Sequence, residues 1–522
     1  FPAGAERTAV LHQRPGGPLE RVTAGELEAL ANHVSNGLRA RGVEPGHAVA
    51  IAMPMTLESV AAYLGIVRLG AVVVSVADSF APAEIATRLR IAGARMAFTQ
   101  ELTPRTADGT PLYARLVQAG APATVVVPVD PARCRAALRA GDTTWDELIR
   151  ASDRFEPVAL APEADSNILF SSGTTGDPKA IPWSHTTPIK CAADAWLHHD
   201  IRPGDVLAWP TNLGWMMGPW LVYAALVNRA ALALFEGAPA GRSFAEFVER
   251  AGVTMLGVIP SLVRTWRHAR CLEGVDWTRI RAFSSTGECS NADDMLYLMA
   301  RAGYRPVIEY CGGTEIGGGY ITGTVVQPAA PALFTTPALG LDMRILDEAG
   351  GPADNGEVFL VPPSIGLSTR LLNGDHDAVY HGVPPAPDGR VLRRHGDQIE
   401  RLGGGFYRHH GRVDDTMKLK GIKVSAVELE RALNTVAGVK ETAAVAVPPE
   451  GGGPARLVVC VVPQPGAALD RARLRTAFQA ALRERHGSLC KVHDVCLVEA
   501  LPRTASNKVM RRVLRDRYRP GG

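Results

Sequence analysis

Apolar residues recur at helical spacing between Thr23 and Arg41, where Leu27, Leu30, Val34 and Leu38 fall three or four positions apart. Compact apolar runs alternate with such stretches. Ala48 to Met53 reads as a strand, Thr56 to Leu69 as a helix and Ala71 to Val76 as a strand, and the alternation continues through Val125 to Val129, Ile168 to Phe170, Val206 to Trp209, Ala231 to Phe235 and Met255 to Ile259. Strands alternating with helices predict parallel sheets with helices on both faces. From Ala338 to Leu402 the pattern changes to short strands and Gly/Pro turns, which predicts a small β-rich subdomain. The end of the chain reads helix (Ala426 to Asn434), strand (Glu441 to Pro448), strand (Leu457 to Val462), helix (Leu469 to His486) and strand (Asp494 to Leu497), the order of a small α+β domain. The expected architecture is therefore α/β: a large N-terminal domain, residues 1–413, carrying a β-rich subdomain, and a small α+β C-terminal domain, residues 414–522, joined by a hinge near Gly411 to Asp415.

Composition narrows the class. With 522 residues, 46% hydrophobic and 21% charged, the chain has the make-up of a globular protein of several structural units. A net charge of +3, dispersed along the chain, gives no basis for nucleic-acid binding. The longest apolar stretch, Leu221 to Phe235, is broken by Asn228 and Arg229, so no membrane span is expected. The eight cysteines form no Cys-x-x-Cys pair and no zinc spacing, which predicts reduced thiols. No secretory leader is read, and the chain closes on Tyr-Arg-Pro-Gly-Gly rather than Ser-Lys-Leu; the expectation is a cytoplasmic protein. Only eight of the 56 basic residues are lysines, so a lysine here points to a place where a compact ammonium is wanted.

Several stretches carry chemistry. Ser171, Ser172, Gly173, Thr174, Thr175, Gly176, Asp177, Pro178 and Lys179 follow the strand ending at Phe170. Glycines let backbone N–H groups approach phosphate oxygens, hydroxyls add donors, and the lysine adds charge, although the Walker A spacing is not matched. Taken alone, such a segment is a polar turn. Further along come Thr286-Gly287-Glu288-Cys289, Tyr310-Cys311-Gly312-Gly313-Thr314-Glu315, His395-Gly396-Asp397, Gly411-Arg412-Val413-Asp414-Asp415 with Lys418, Lys420 and Lys423, and Leu501-Pro502-Arg503-Thr504-Ala505-Ser506-Asn507-Lys508.

In this order, across Ala161 to Arg515, these stretches resemble the core motifs of the adenylate-forming superfamily: acyl-CoA synthetases, luciferases and peptide-synthetase adenylation domains. The resemblance implies that residues 171–176 and Lys179 grip the phosphates of ATP, that Thr314 meets the α-phosphate, and that Glu315 helps hold Mg²⁺. Gly287, Glu288 and Cys289 would line the adenine through their backbone. Family members carry a base-stacking aromatic three residues before the Thr; Cys311 stands there, with Tyr310 beside it as the aromatic that would take its place. Asp397 would accept hydrogen bonds from both ribose hydroxyls, Arg412 would contact the ribose, and Asp414 would be the hinge about which the C-terminal domain turns. Lys423 would approach the pantetheine arm of CoA, and Lys508, preceded by Asn507 in place of the usual Gly, would neutralise charge developing between carboxylate and α-phosphate.

The implied reaction is activation of a small-molecule carboxylate by ATP and transfer of the acyl group to CoA. The segment Asn212 to Trp220 resembles the acyl-binding stretch of acetyl- and acetoacetyl-CoA synthetases, and Ile168 to Gly237 resembles plant-type acyl-activating enzymes. Trp215, Met216, Met217 and Gly218 are candidate pocket residues; equally, the tryptophans and methionines there are candidate core. Gly312 stands where acetyl-CoA synthetases close the pocket with Trp, which predicts an acid larger than acetate. Arg88 matches the arginine that meets the CoA 3′-phosphate. Two other readings stay open: an adenylating enzyme serving a separate carrier protein or an amine, and a nucleotide-binding regulator without catalysis.

Overall fold

The computed structural model describes residues 4–103, 111–130, 134–171, 177–381, 383, 385–386, 388–413, 416–419, 422–447, 455–486, 491–503 and 509–518. By packing, the chain divides into two compact units. One comprises Phe1–Asp342 and Val361–Gly382, the other Met343–Leu360 and Val383–Gly522.

The first unit is built on two seven-stranded sheets. In one, the strands lie in the order Thr143–Thr144, Ala123–Val127, Met96–Gln100, Ala48–Ala52, Val72–Ser75, Asp165–Ser171, Lys179–Ser184, parallel except for the last. In the other the order is Val307–Glu309, Ala282–Ser285, Met255–Val258, Val206–Ala208, Ala231–Phe235, Thr8–Gln13, Leu19–Thr23, again parallel until the final antiparallel pair. The inner strands are almost continuously apolar (AVAIA at 48–52, ALALF at 231–235), as sheets covered on both faces require. Helix starts are set locally. Thr23 caps Ala24–Ala40 with Glu26 returning the bond, and Thr56 caps Leu57–Arg68 in the same way with Ser59. A three-stranded antiparallel piece, Cys311–Gly313, Gly318–Thr322 and Thr336–Pro337, continues from the second sheet.

In the second unit a four-stranded sheet orders Asp342–Leu346, Asn355–Val361, Arg393–Arg401 and Tyr407–Arg412. A short pair, Thr416–Leu419 with Ile422–Ser425, follows. The sheet Val439–Val447, Arg456–Pro463, Val492–Leu497 then packs against helices Ala426–Leu433 and Arg471–His486 around Leu429, Leu433, Val459, Val461, Phe478 and Leu482. Among the described residues no helix is long and apolar enough to cross a membrane.

Candidate active site

Parallel strands deliver their loops to one edge. Strands Ala282–Ser285 and Val307–Glu309 are neighbours, with Ser285 opposite Glu309. The stretches Thr286–Cys289 and Tyr310–Glu315 therefore leave adjacent carboxyl ends of a parallel sheet, where α/β proteins bind ligands. The first turn is anchored by Glu288, whose carboxylate accepts from Ser261 N (3.0 Å) and Ser261 Oγ (3.1 Å) at the start of helix Pro260–Ala269; Gly287, at φ +89°, makes the bend before it. Negative charge at a helix start is favourable. Cys289 is half-buried beyond this anchor.

The Thr–Glu motif forms the turn of a glycine hairpin, in which Gly312 faces Gly319 and Gly313 faces Gly318. Close approach makes glycine obligatory at 312, where the neighbour is backbone, whereas at 313 the neighbour is a flexible carboxylate. A Cβ on Gly312 would lie 1.9 Å from the Gly318 carbonyl oxygen, and one on Gly313 would lie 2.7 Å from the Glu315 carboxylate. The turn is also held from outside the hairpin: Trp183 Nε1 donates to the Thr314 carbonyl (2.7 Å) and Ser368 N to the Glu315 carbonyl (2.8 Å). Residues 311–315 are all half-buried, so Thr314 and Glu315 stay within reach of a ligand.

Beneath the hairpin lies helix Thr187–His199. Asp194, fully buried, accepts from Lys190 Nζ, from Tyr310 Oη (2.6 Å) and from Gly319 N (2.9 Å). Trp220 Nε1 donates to the same Tyr310 oxygen at 3.0 Å. Burial, with Asp194 as the next cause, pushes the Tyr310 phenol well above its usual range, so it remains a donor. His199, driven down to about 3 by burial, is neutral and shares a hydrogen bond with Ser284 Oγ at 2.8 Å. His198 accepts from Leu339 N at Nε2, so its Nδ1 carries the proton donated to the Gly323 carbonyl. These contacts correct one expectation. Tyr310, 1% exposed and bonded to Asp194 and Trp220, is a core residue and does not take over the stacking of adenine.

Two further corrections concern the acyl and CoA contacts. Gly312 is a point of backbone contact and not a vacancy, since the place of its Cβ is filled by Gly318; what survives is that no side chain from 312 closes a pocket. Arg88 is 5% exposed, with its guanidinium 3.7 Å from the Phe80 ring centroid and 5.5 Å from that of Phe170, so it is packed against aromatic rings and not offered to a CoA phosphate. In the segment Asn212–Trp220 the two readings divide by residue. Met217 and Trp220 are core, whereas Trp215 and Met216 are half-buried. Gly218 fits because a Cβ there would meet the Asn212 carbonyl oxygen at 2.1 Å. Asn212 holds the segment through Asp78 (2.8 Å) and Gly214 N (2.9 Å), and Trp215 packs edge-on to Phe80.

At the phosphate-loop stretch Ser171 pairs with Lys179 across the strand pair that flanks it; Ser172, Gly173, Thr174, Thr175 and Gly176 lie outside the described residues. Asn373 secures the exit strand, accepting from Ala180 N (2.8 Å) and donating to the Pro178 carbonyl (2.9 Å). Lys179 Nζ is 5.7 Å from the Tyr380 ring centroid.

In the second unit Asp397 and Arg412 are cross-strand partners, with Arg412 Nη1 3.1 Å from Asp397 Oδ1 and 2.7 Å from the His395 carbonyl. His395 Nε2 and His409 Nε2 each lie 3.1 Å from Asp397 Oδ2. Burial alone would raise the Asp397 carboxyl, but the charges of His395 and His409 outweigh it and hold it well below the usual range, so it stays an ionised acceptor. Gly396, at φ +85°, brings the backbone against Arg412, whose Nη2 would sit 2.7 Å from a Cβ. Lys423 pairs with Lys418 in the backbone ladder. Asp414 and Lys508 lie outside the described residues, and Arg503 and Val509 bridge the two sides of the Lys508 stretch.

Sequence reading missed Lys190, Asp194 and Asn373. A lysine in a lysine-poor chain, four residues before an aspartate in a helical stretch, was the available signal for the first two. Asn373 had none, because its partners are backbone groups almost two hundred positions away.

This geometry is that of an adenylate-forming enzyme, and similarity to known proteins agrees. Residues 3–365 match the AMP-binding enzyme family and residues 428–508 the AMP-binding enzyme C-terminal domain. The chain belongs to the AMP-binding enzyme family. It is 50% identical over 518 residues to "Probable acyl-activating enzyme 17, peroxisomal" of Arabidopsis thaliana, covering 97% of this chain and 72% of that one. To "Hexanoyl-CoA synthase" of Cannabis sativa it is 48% identical, covering 96% and 71%. Its fold matches that of acetoacetyl-CoA synthetase from Streptomyces lividans with a TM-score of 0.87 at 24% identity, over 97% of this chain and 78% of that one.

Proposed function

We infer that the chain is an ATP-dependent, AMP-forming acyl-CoA synthetase using ATP, Mg²⁺ and CoA, and that its acid is larger than acetate. The observation that carries this reading is the pair of loops at adjacent strand ends, Thr286–Cys289 and Tyr310–Glu315, with Thr314 and Glu315 held half-exposed by Trp183 and Ser368. The similarity to a hexanoyl-CoA synthase at 48% identity favours a short- to medium-chain acid.

A free carboxylate has a poor leaving group, so its oxygen attacks the α-phosphorus of ATP, pyrophosphate departs, and AMP later leaves when the CoA thiol attacks the carbonyl. Nothing in the protein need be a nucleophile; orientation and charge stabilisation supply the rate. Thr314 donates to the α-phosphate. Glu315 is the carboxylate that holds Mg²⁺, which when bound neutralises charge on the phosphate oxygens. Ionised Asp397, steadied by Arg412, accepts from the ribose hydroxyls. Ser171, Lys179 and the residues between them hold the β- and γ-phosphates, Lys508 stabilises the charge that develops as carboxylate meets phosphorus, and Asp414 is the hinge ahead of the Lys423 strand. Trp215 and Met216 border the acyl chain. We further propose a cytoplasmic location, tested by imaging a fluorescent fusion against a peroxisomal marker.

The test is a panel of carboxylic acids from acetate to decanoate, with ATP and either CoA or a carrier protein, scored by mass spectrometry of thioester products. A CoA thioester of an acid longer than acetate is the expected product. Acetate as the best substrate would refute the size claim, and product only on the carrier would refute CoA as acceptor. Lys508→Ala should lower adenylate formation by roughly 10²–10³-fold and spare thioester formation from supplied adenylate. Equal loss in both steps would remove Lys508 from its assigned role.

A further inference from the structure

The Thr314–Glu315 turn sits on strands that can hardly stiffen themselves. Five of the eight residues 312–319 are glycine (312, 313, 317, 318 and 319), which lose more backbone freedom on folding than any other residue and bring no side chain to pack. What they allow is close approach to the helix below. A Cβ on Gly318 would lie 2.5 Å from Asp194 Oδ2, and one on Gly319 would lie 2.8 Å from the Tyr310 ring. Asp194 exploits that approach on both sides of the hairpin. It binds Tyr310, which leads into the outgoing strand, and Gly319 N–H on the returning one. Lys190 balances its charge and donates to the Gly319 carbonyl at 3.3 Å, and Cys191 Sγ lies 3.3 Å from the Gly317 carbonyl. Lys190 and Asp194 are 2% and 0% exposed. An ion pair so deeply buried is an inefficient way to stabilise a core, because apolar side chains of similar volume commonly do as well or better. What it supplies is a fixed position.

We propose that Lys190, Asp194 and Tyr310 are positioning residues for adenylate formation, a buried assembly that fixes the Thr314–Glu315 turn in the register required by the α-phosphate and its Mg²⁺. The proposal rests on the function inferred above. None of the three touches a substrate, and they act through the hairpin. Their effect therefore falls on the half-reaction that uses Thr314 and Glu315 and leaves the attack of thiol on a preformed adenylate alone.

The experiment compares the two half-reactions in the full-length protein, with acid-dependent ATP–pyrophosphate exchange for the first and CoA-thioester yield from supplied acyl-adenylate for the second. Tyr310→Phe keeps the ring and removes the hydrogen bond donated to Asp194 together with the one accepted from Trp220 Nε1. It is expected to lower kcat of exchange about tenfold, with KM for the acid and the thioester step within about twofold of wild type. The paired change Lys190→Met with Asp194→Leu removes both charges together and should show the same split with a thermal midpoint near that of wild type. Exchange at the wild-type rate in either variant overturns the proposal, as does a parallel fall in both half-reactions. Wild-type protein unable to exchange pyrophosphate with any acid overturns the underlying reading of function, and the proposal with it, whereas an active wild type beside a Tyr310→Phe variant that exchanges at the wild-type rate overturns the proposal alone.

Discussion

Thr314 and Asp397 are both delivered by short antiparallel strands, yet the two places are built in opposite ways. The hairpin that presents Thr314 is glycine-rich and takes its shape from a charged cluster on a helix beneath it, more than a hundred positions earlier in sequence. The strand pair that presents Asp397 carries its own determinants. Arg412 faces Asp397 in the ladder, and His395 and His409 lie on the same two strands. A candidate site residue can thus be fixed by remote burial or by local register, and the two solutions should fail differently.

Lys190→Met gives the largest expected effect. It leaves Asp194 buried and uncompensated, and should cost about 3–5 kcal/mol, read as a fall in the urea midpoint of the first unit's transition. A loss below about 1 kcal/mol would mean that the hairpin does not depend on the cluster. Gly312→Ala comes next at roughly 1–3 kcal/mol, because the hairpin must open to relieve contact with Gly318, and pyrophosphate exchange should fall with it. Asp397→Asn sharpens the other side of the comparison. The folded carboxyl binds its proton less tightly than an unfolded one, so its stabilisation is present above the ordinary carboxylate pKa of about 4 and is lost as pH falls through the folded value. The variant should be less stable than wild type by about 1–2 kcal/mol at pH 7, with the gap narrowing below about pH 4 in parallel urea titrations. A gap that widens in acid would reverse the assigned sign. The smallest effect belongs to Arg394→Ala. This removes a partly exposed pair with Glu357 on the same sheet and should change stability by less than about 1 kcal/mol, since register and not surface charge holds that sheet.

The same contrast explains what could be read from the sequence. Helices starting at Thr23 and Thr56 are visible because cap, partner and apolar spacing lie within a few residues of one another. Asp397 and Arg412 were both visible through short motifs, although their pairing across a ladder was not, because strand register depends on the turn between them. Tyr310 was misassigned for a different reason. A tyrosine beside a ligand motif and a tyrosine whose hydroxyl closes a buried network look alike in sequence, and only Asp194 and Trp220, brought close by helix packing, separate the two. Lys190 and Asp194 show their i,i+4 spacing in the sequence, but the groups that the pair holds are backbone and phenol groups more than a hundred positions downstream, so its role is not legible locally.

A scaffold that keeps its rigidity in one layer and its chemistry in another can vary the second at little risk to the first. Cys311 lies opposite Ile321 on the hairpin and takes no part in the bonds that tie the strands to Asp194. Under the proposed function position 311 borders the nucleobase, and exchanging its thiol for a ring, an amide or a hydroxyl would alter what the base encounters while the foundation stays in place. On that reading, position 311 is the point of entry for retuning nucleotide preference.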